Sequence, residues 1–326
     1  MGVVSAIFSF GKFLLWVIGI YGAAKFCDHY IFPAIMPSRS LEKMQLDLEG
    51  HYKLDPAKLQ EFGIEKEKYT EVNLDEESRE FLKHCQSLQT RYFAFFGQSI
   101  VYTYLKPFVT LTSLHGLLNR GSMFVLSSGH LETVLKNKEI KTVVDLGAGD
   151  GKVTRKIEKF TGLSPKDIQV TDVSPSMKYR LAEKGFNVVD AEYWYSKKPF
   201  DLISMLNLLD RCTHPMKMLT DAKNSLTNNK NSNDGGRLLI SSVFPFRQSI
   251  EWRNSRKADE LVKIDSRWSL EQQAAKFIKD VVEPNGFELE SISRVPYLCE
   301  GDIKQPYYIL SNVVMVFRLK VDAKND

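Results

Sequence analysis

The chain has 326 residues, of which 43% are hydrophobic, and this suits one α/β catalytic domain with additional segments. With 44 basic and 40 acidic residues the formal net charge is +4, too balanced to indicate nucleic-acid binding. The four cysteines and six histidines are widely scattered and form no C-x-x-C pair, so we expect no metal site.

The chain begins with an apolar segment, Val3 to Ala24, which is interrupted by Lys12 and by a few serines and glycines. Its unbroken part, Phe13 to Ala24, has the length of a signal-peptide core, whereas the whole segment could span a bilayer if Lys12 is tolerated. We therefore expect residues 1–25 to be a signal peptide or membrane anchor that gives membrane association. This segment places the protein in the endoplasmic reticulum and secretory membrane system, with mitochondria as a second location; a soluble amphipathic helix is the alternative.

Two regions separate this segment from the catalytic half. Residues 26–73 are expected to be a linker with short helices, because residues 40–75 are charged and are broken by Pro56 and Gly63. A helical cap or substrate region is predicted over residues 74–135, since acidic residues open it and apolar residues recur at helical spacing from Phe81 to Tyr92. The aromatic stripe over residues 92–96 is typical of core packing; the alternative is a surface that covers a cofactor and holds a peptide.

The most informative stretch runs from Val143 to Gly151, where an apolar run ends in Asp145 and leads into a glycine-rich turn. This pattern is typical of a buried parallel strand that turns sharply into a helix. Three glycines stand at alternate positions: Gly147, Gly149 and Gly151. Because position 152 is lysine, the dinucleotide fingerprint G-x-G-x-x-G is not matched. Asp145 and Asp150 place negative charge at the turn, which favours a cationic ligand such as S-adenosylmethionine; a turn without a ligand is the alternative.

Strands and helices alternate through residues 136–320, which predicts a doubly wound, mostly parallel α/β sheet of seven strands. The predicted strands are Thr142–Leu146, Ile168–Asp172, Asn187–Asp190, Leu202–Met205, Arg237–Val243, Glu288–Val295 and Tyr307–Arg318. The predicted helices lie near residues 152–160, 175–184, 215–226 and 269–283. Because no helix separates the last two strands, one of them should be antiparallel. The polar segment Asn228–Gly236 is expected to be a flexible insertion.

Acidic residues at the strand ends are candidate ligand contacts, because ligands of such sheets lie at the carboxyl ends of the strands. Asp172 ends the second predicted strand, where its carboxylate could accept hydrogen bonds from both hydroxyls of a ribose. The alternative is an N-cap for the helix that begins at Pro175, a role that suits Ser174 better. Asp190 ends the third strand and is either an adenine contact or a simple turn residue.

A polar pair, Asn207 and Asp210, follows the fourth predicted strand in a leucine-rich segment. The two side chains would share one face if that segment were helical. Burying them beside leucines is unfavourable unless they have partners, which a methyl acceptor would supply. Capping of the helix that begins at Pro215 is the alternative.

Three strings of the sequence closely resemble the DREV group of methyltransferase-like proteins: Asn207–Cys212, Arg294–Asp302 and Arg120–Val125. The resemblance covers roughly residues 110 to 320. It implies a Rossmann-like class I methyltransferase sheet with an N-terminal helical cap. It also implies a protein-L-histidine N-pros-methyltransferase that modifies His-x-His motifs with a small middle residue.

The resemblance also implies site residues. It places the cofactor loop on Asp145–Gly151 and the ribose-binding acid on Asp172, where a Glu is usual. An asparagine that contacts cofactor and substrate corresponds to Asn207, and the catalytic acid corresponds to Asp210. The site tyrosines correspond to Tyr297 and Tyr308. Neutral histidine attacks through the ring nitrogen that lacks a proton. A carboxylate bonded to the other nitrogen would fix the tautomer and accept the proton, and Asp210 is the candidate.

Two other functions are open from the sequence. The apolar N-terminus and the aromatic region also fit a methyltransferase of a small molecule or lipid. A membrane-tethered interaction protein without activity is the third possibility, and the intact acidic and glycine positions argue against it. For the enzyme we expect S-adenosyl-L-methionine as cofactor, His-x-His peptides and proteins as partners, no nucleic acid, no metal and a monomer.

Overall fold

Two sheets and their flanking helices make up the part of the chain that the computed structural model describes. That part comprises residues 48–88, 121–136, 138–196, 199–227, 235–250, 258–301 and 305–320, together with Gly19, Gly22 and Ala23. The strands are β1 (Met123–Phe124), β2 (Val143–Leu146), β3 (Ile168–Thr171), β4 (Asn187–Val188), β5 (Leu202–Leu206), β6 (Arg237–Val243), β7 (Phe287–Arg294), β8 (Tyr297–Glu300), β9 (Tyr307–Leu310) and β10 (Asn312–Leu319).

The larger sheet has seven strands in the order β4-β3-β2-β5-β6-β10-β7. Strands β2 to β6 pair in parallel, and β10 is antiparallel to both of its neighbours. This arrangement confirms the predicted doubly wound, Rossmann-like fold and its antiparallel strand. The strand order reverses beside β2, so the carboxyl ends of β2, β3 and β5 meet at the edge where such sheets bind ligands.

Helices connect these strands and cover both faces of the sheet. They are α1 (Pro56–Glu61), α2 (Glu76–Leu88), α3 (Ser128–Val134), α4 (Thr154–Thr161), α5 (Pro175–Glu183), α6 (Pro215–Ser225) and α7 (Leu270–Phe277). Proline stands at the first position of α5 and α6, where no backbone N–H is needed. The α7 helix continues as a π turn and a 3₁₀ turn to Asn285, so the four helices predicted in the catalytic half are confirmed.

Apolar residues form a core on each face of the larger sheet. Successive side chains of a strand point to opposite faces, so Val144 and Leu146 pack in one core while Val143 packs in the other. Strand β6 divides in the same way, with Leu238 and Leu239 on opposite faces. The continuous apolar runs of these strands are therefore explained by burial on both sides.

The smaller sheet was not predicted. Its three antiparallel strands lie in the order β1-β8-β9, with Met123 opposite Cys299 and Cys299 opposite Tyr308. The single strand predicted over Tyr307–Arg318 is wrong in this respect, because Ser311 separates β9 in the smaller sheet from β10 in the larger one.

Residues 48–72, expected to belong to a linker, contain α1 and two short 3₁₀ helices. Their apolar side chains are buried in the two cores: Leu48, Tyr52, Leu54, Leu59, Ile64 and Val72. Arg294 donates hydrogen bonds to the carbonyls of Gly50 (3.3 Å) and Lys53 (3.0 Å) and so fixes this segment to the larger sheet.

Two expectations for the N-terminal part concern residues outside this description. Within the described residues, no helix is long and apolar enough to cross a membrane. The segment from Val3 to Ala24 lies outside them except at three positions, and the aromatic stripe over residues 92–96 lies wholly outside them. The preceding helix α2 is confirmed, with Leu82, Cys85 and Leu88 buried on one face.

Candidate active site

The glycine-rich turn that follows β2 leaves a gap above its middle glycine. Gly147, Gly149 and Gly151 all have positive φ, and Gly149 has φ +58°. A Cβ atom at Gly149 would meet no atom within 4 Å from the described residues other than its chain neighbours, whereas one at Gly147 would lie 2.8 Å from Leu208 Cδ1. Gly147 therefore permits close packing, and Gly149 leaves its backbone open to a ligand.

Asp145 lies inside the protein at the end of β2 and is only 2% exposed. Its carboxylate oxygens accept hydrogen bonds from the hydroxyls of Thr154 (2.6 Å) and Ser204 (2.6 Å). Burial raises the pKa of this carboxyl to about 6, although the two hydroxyl groups oppose the rise. Asp145 was expected to contact the cofactor. Its hydrogen bonds to Thr154 in α4 and Ser204 in β5 favour a structural role, in which it holds the glycine-rich turn in place.

Asp172 follows β3 and joins the glycine-rich turn to the start of α5. Its carboxylate accepts hydrogen bonds from the backbone N–H of Gly149 (3.0 Å) and from that of Ser174 (2.7 Å). Burial raises its pKa, and these backbone donors oppose the rise. The side chain thus lies beside the open position of the turn, as a ribose contact would. Asp190 is exposed and accepts a hydrogen bond from the N–H of Glu192 (2.9 Å), as a turn residue does.

Asn207 ends β5 in a backbone conformation that is uncommon for a residue other than glycine, with φ +54°. Its N–H donates to the carbonyl of Ser241 (3.0 Å), which holds the residue against β6. The side chain is 7% exposed, yet neither amide atom has a hydrogen-bond partner among the described residues. Because a buried polar group without a partner costs about 1–3 kcal/mol, this amide is suited to a ligand.

Asp210 lies three residues further on, in a turn closed by the Arg211 N–H to Leu208 carbonyl bond (2.9 Å). The segment is therefore a turn and not the helix considered for it. The Asp210 side chain is 14% exposed, and its Oδ1 atom has no hydrogen-bond partner in the described part of the chain. Its Oδ2 atom lies 3.9 Å from Arg211 Nε. Burial raises the pKa of this carboxyl, and the Arg211 guanidinium opposes the rise.

The smaller sheet brings Tyr297 to the same place. The Tyr297 hydroxyl is buried, donates to Met123 Sδ and is also hydrogen-bonded to Arg211. Burial raises its pKa, and the Cys299 thiol and the Asp210 carboxylate add to the rise. Tyr308 shares this face of the sheet through its cross-strand partner Cys299, and it is 37% exposed.

A polar contact fixes the smaller sheet to the glycine-rich turn. Glu300 accepts a hydrogen bond from the N–H of Ser122 (3.1 Å), and Lys152 Nζ donates to the Ser122 hydroxyl (3.2 Å). Lys152 also pairs with Asp150 at 3.3 Å. These contacts therefore fix the position of β8, the strand that carries Tyr297, relative to the turn that follows β2.

The two cysteines beside the site are not suited to act as nucleophiles. Burial raises the pKa of the Cys212 thiol to about 12 and that of the Cys299 thiol to about 11, so both remain protonated near neutral pH. The chemistry of the site therefore rests on the carboxylate, amide and phenol groups.

The structure thus brings together the turn at Gly149 with Asp172, and the group of Asn207, Asp210 and Tyr297. Leu208 connects the two sets, because its side chain lies against Gly147. Sequence reasoning named no role for Arg211, which stands inside the Asn207–Cys212 string, or for the hydroxyl partners of Asp145. The string was the only signal for Arg211, and nothing in the sequence marks the hydroxyl partners.

The chain matches the model of a known protein family and is similar to solved structures. The model of the DREV methyltransferase family matches residues 58–319. A TehB-like SAM-dependent methyltransferase from Corynebacterium glutamicum is 18% identical, with 56% of this chain and 82% of that chain covered and a TM-score of 0.36. The CcbJ methyltransferase from Streptomyces caelestis is 15% identical, with 57% of this chain and 86% of that chain covered and a TM-score of 0.36.

Proposed function

Because the chain belongs to the DREV methyltransferase family, and so is an S-adenosylmethionine-dependent methyltransferase, we propose that its acceptor is histidine in proteins. The methyl group goes to the pros nitrogen of a histidine in a His-x-His motif whose middle residue is small. The observation that carries this proposal is that, among the described residues, the buried amide of Asn207 and the buried Oδ1 atom of Asp210 have no hydrogen-bond partner.

The described residues fit the cofactor. When bound, S-adenosylmethionine supplies a methyl group carried by a positively charged sulfur. Gly149 leaves room for it at the backbone, Asp172 offers a carboxylate at the same position, and Asn207 offers an amide at the neighbouring strand end. The carboxylates of Asp145 and Asp172 make the turn negative, which suits a cation.

Asp210 has the properties that an imidazole acceptor requires. A neutral imidazole carries one N–H and one nitrogen lone pair. When the Oδ1 atom of Asp210 accepts the N–H of the tele nitrogen, the lone pair of the pros nitrogen is left to attack. As the ring gains positive charge, the carboxylate stabilises it and accepts the tele proton. Because burial raises the pKa of Asp210, it is a better proton acceptor than an exposed aspartate.

The neighbouring side chains orient and enclose the acceptor. The backbone of Asn207 is fixed by its bond to Ser241, so its amide is held in place for a hydrogen bond to the ring or to the cofactor. Tyr297 forms a buried wall beside Asp210, and Tyr308 stands at the rim. Aromatic faces attract cations, so these rings favour the imidazolium that forms.

We propose that the N-terminal segment, residues 1–25, directs this activity to the secretory membrane system. The apolar run from Phe13 to Ala24 supports this proposal. Expression of the full chain in cells, followed by membrane fractionation and N-terminal sequencing, tests it. Recovery in the membrane fraction or removal of the segment is expected. A full-length protein found only in the soluble cytoplasmic fraction would refute it.

The methyl acceptor is tested with the purified full-length protein, labelled S-adenosylmethionine and a peptide that contains His-Ala-His. A matched peptide has both histidines replaced by alanine. Label is expected only in the first peptide, and acid hydrolysis should release the pros isomer of methylhistidine. Label in the tele isomer, or in a lipid extract in place of the peptide, would assign the enzyme to another acceptor.

Asp210→Asn tests the catalytic role in the same assay. We expect it to lower the methylation rate by roughly 10²–10⁴-fold, because the amide cannot accept the proton. Cofactor affinity, measured by calorimetry, should stay within a few-fold. Asp265→Asn is the matched control, since Asp265 pairs with the exposed Arg267 and not with a residue of the site, so it should leave the rate unchanged. A wild-type rate in Asp210→Asn would remove Asp210 from the mechanism.

A further inference from the structure

Among the described residues, Arg211 is a charged residue beside Asp210, and the proposed mechanism gives it no task. Its Nε atom lies 3.9 Å from Asp210 Oδ2, whereas the Oδ1 atom has no hydrogen-bond partner among the described residues. The guanidinium is 41% exposed, so it stands at the mouth of the site while the carboxylate lies inside. It is also hydrogen-bonded to the buried Tyr297 hydroxyl of the smaller sheet.

Within the described part of the chain, few other groups act on the Asp210 carboxylate. The thiol of Cys212 and the phenol of Tyr297 interact with it electrostatically, and both remain neutral at working pH. Ser249 donates its N–H to the backbone carbonyl of Asp210 and not to the carboxylate. The carboxylate of Glu260 raises the pKa of the Cys212 thiol, so it disfavours a negative charge on that thiol.

This arrangement sets two requirements against each other. Burial favours the protonated carboxyl, but only the ionised form can accept the N–H of an imidazole. A nearby cation stabilises the ionised form. Arg211 leaves Oδ1 free for the acceptor because it approaches the other oxygen, and its contact with Tyr297 fixes the guanidinium in that position.

We propose that Arg211 is a positioning residue that holds Asp210 in its ionised form and in a fixed orientation, so that Oδ1 meets the acceptor ring. The inference rests on the proposed function where it concerns histidine. The pairing of Arg211 with Asp210 itself is a property of the folded chain and is measurable without any substrate.

The pairing is tested first by thermal unfolding of four full-length proteins at neutral pH: wild type, Arg211→Met, Asp210→Asn and the double variant. In the wild-type background, Arg211→Met should lower Tm by roughly 2–4 °C, because it leaves a buried carboxylate without its cation. In the Asp210→Asn background the same change should lower Tm by less than half as much. Equal losses in the two backgrounds would show that the residues are not coupled and would overturn the proposal.

The consequence for catalysis is tested by the pH dependence of kcat with saturating His-Ala-His peptide and cofactor. Loss of the guanidinium raises the pKa of Asp210, so the carboxylate ionises at higher pH. The acid limb of Arg211→Met should therefore move up by about one pH unit, while Arg211→Lys, which keeps the charge, should not move it. The imidazole of the peptide titrates alike for every variant, so a difference between variants belongs to the enzyme.

Arg267→Met is the matched control, because it removes an arginine that pairs with Asp265 and not with Asp210. It should change Tm equally in the wild-type and Asp210→Asn backgrounds and should leave the acid limb where it is. A rate for Arg211→Met that falls equally at every pH would assign Arg211 to structure alone and overturn the proposal. If the wild type modifies no histidine peptide but the unfolding experiment shows coupling, the proposed acceptor fails and the pairing stands.

Discussion

Asp145→Asn should change how the stability of the protein depends on pH. Burial raises the pKa of the Asp145 carboxyl from 3.8 to about 6 in the folded chain. Between these values the folded state keeps a proton that the unfolded state has lost, so stability falls as pH rises through this window. A shift of about two units corresponds to about 3 kcal/mol, since one unit is about 1.36 kcal/mol.

An asparagine at position 145 cannot ionise, so this loss should disappear in the variant. Denaturant unfolding of both proteins without cofactor, from about pH 4 to about pH 7, measures the difference in their free energies of unfolding. As pH rises across this range, that difference should shift by about 3 kcal/mol in favour of Asp145→Asn. Any loss of hydrogen bonds to Thr154 and Ser204 lowers the stability of the variant by the same amount at every pH. A difference that is the same at every pH would refute the reasoning. Asp265→Asn is the control, because Asp265 is exposed and titrates below this window.

Three further outcomes follow from the contacts of the site and its surroundings. Asp172→Ala removes the acceptor of the Gly149 N–H and should raise the Kd for S-adenosylmethionine by about 10- to 100-fold in calorimetry; an unchanged Kd would leave it a structural role only. Gly149→Ala should weaken cofactor binding, and Gly147→Ala should lower Tm more than Gly149→Ala does, because both put alanine in a left-handed backbone but only the methyl group at position 147 meets a leucine side chain; the reverse order of Tm values would exclude this assignment. Burial favours protonation of Glu77, but hydrogen bonds from lysines such as Lys156 lower its pKa to about 2, so its stabilisation is present above pH 4.5 and is lost as pH falls to about 2. Glu77→Gln should therefore lower the free energy of unfolding by about 1 kcal/mol near pH 7 and by much less near pH 2, and an equal loss at both pH values would count against the ion pairs.

The larger sheet could be predicted because most of its strands are short runs rich in apolar residues between turn residues. Strand β6 was predicted with its observed bounds, Arg237–Val243, and the predicted antiparallel strand is β10. The smaller sheet could not be predicted in this way. It pairs the two-residue strand β1 with β8, about 175 residues later, and such pairing leaves no local pattern.

Two points at which one strand ends and the next begins were also not predicted from the periodicity of apolar residues. Pro296, which has no N–H to donate, separates β7 from β8. Ser311 interrupts an otherwise continuous apolar run, and its carbonyl instead accepts a hydrogen bond from the N–H of Phe244 (2.8 Å). Sequence patterns show where apolar residues recur, but they do not show which sheet receives them.

The candidate site was predictable to the extent that it follows from strand ends. Asp145, Asp172 and Asn207 stand where the sheet rule places ligand contacts. Asp210 was proposed with Asn207 as a polar pair, and the family resemblance supplied its catalytic role and Tyr297. The hydroxyl partners of Asp145 lie 9 and 59 residues away along the chain, so only the folded structure shows that its carboxylate accepts hydrogen bonds from them. Arg211 was overlooked for a similar reason, since its contact with Tyr297 joins the two sheets.

The left-handed backbone at Asn207 makes this position informative about the proposed activity. Glycine would adopt the same backbone without strain and would remove an amide that lacks a partner in the described part of the chain. Folding alone thus favours glycine there, whereas the proposed reaction would favour asparagine. Glycine at this place in a relative would therefore mark a lineage in which methyl transfer has been abandoned.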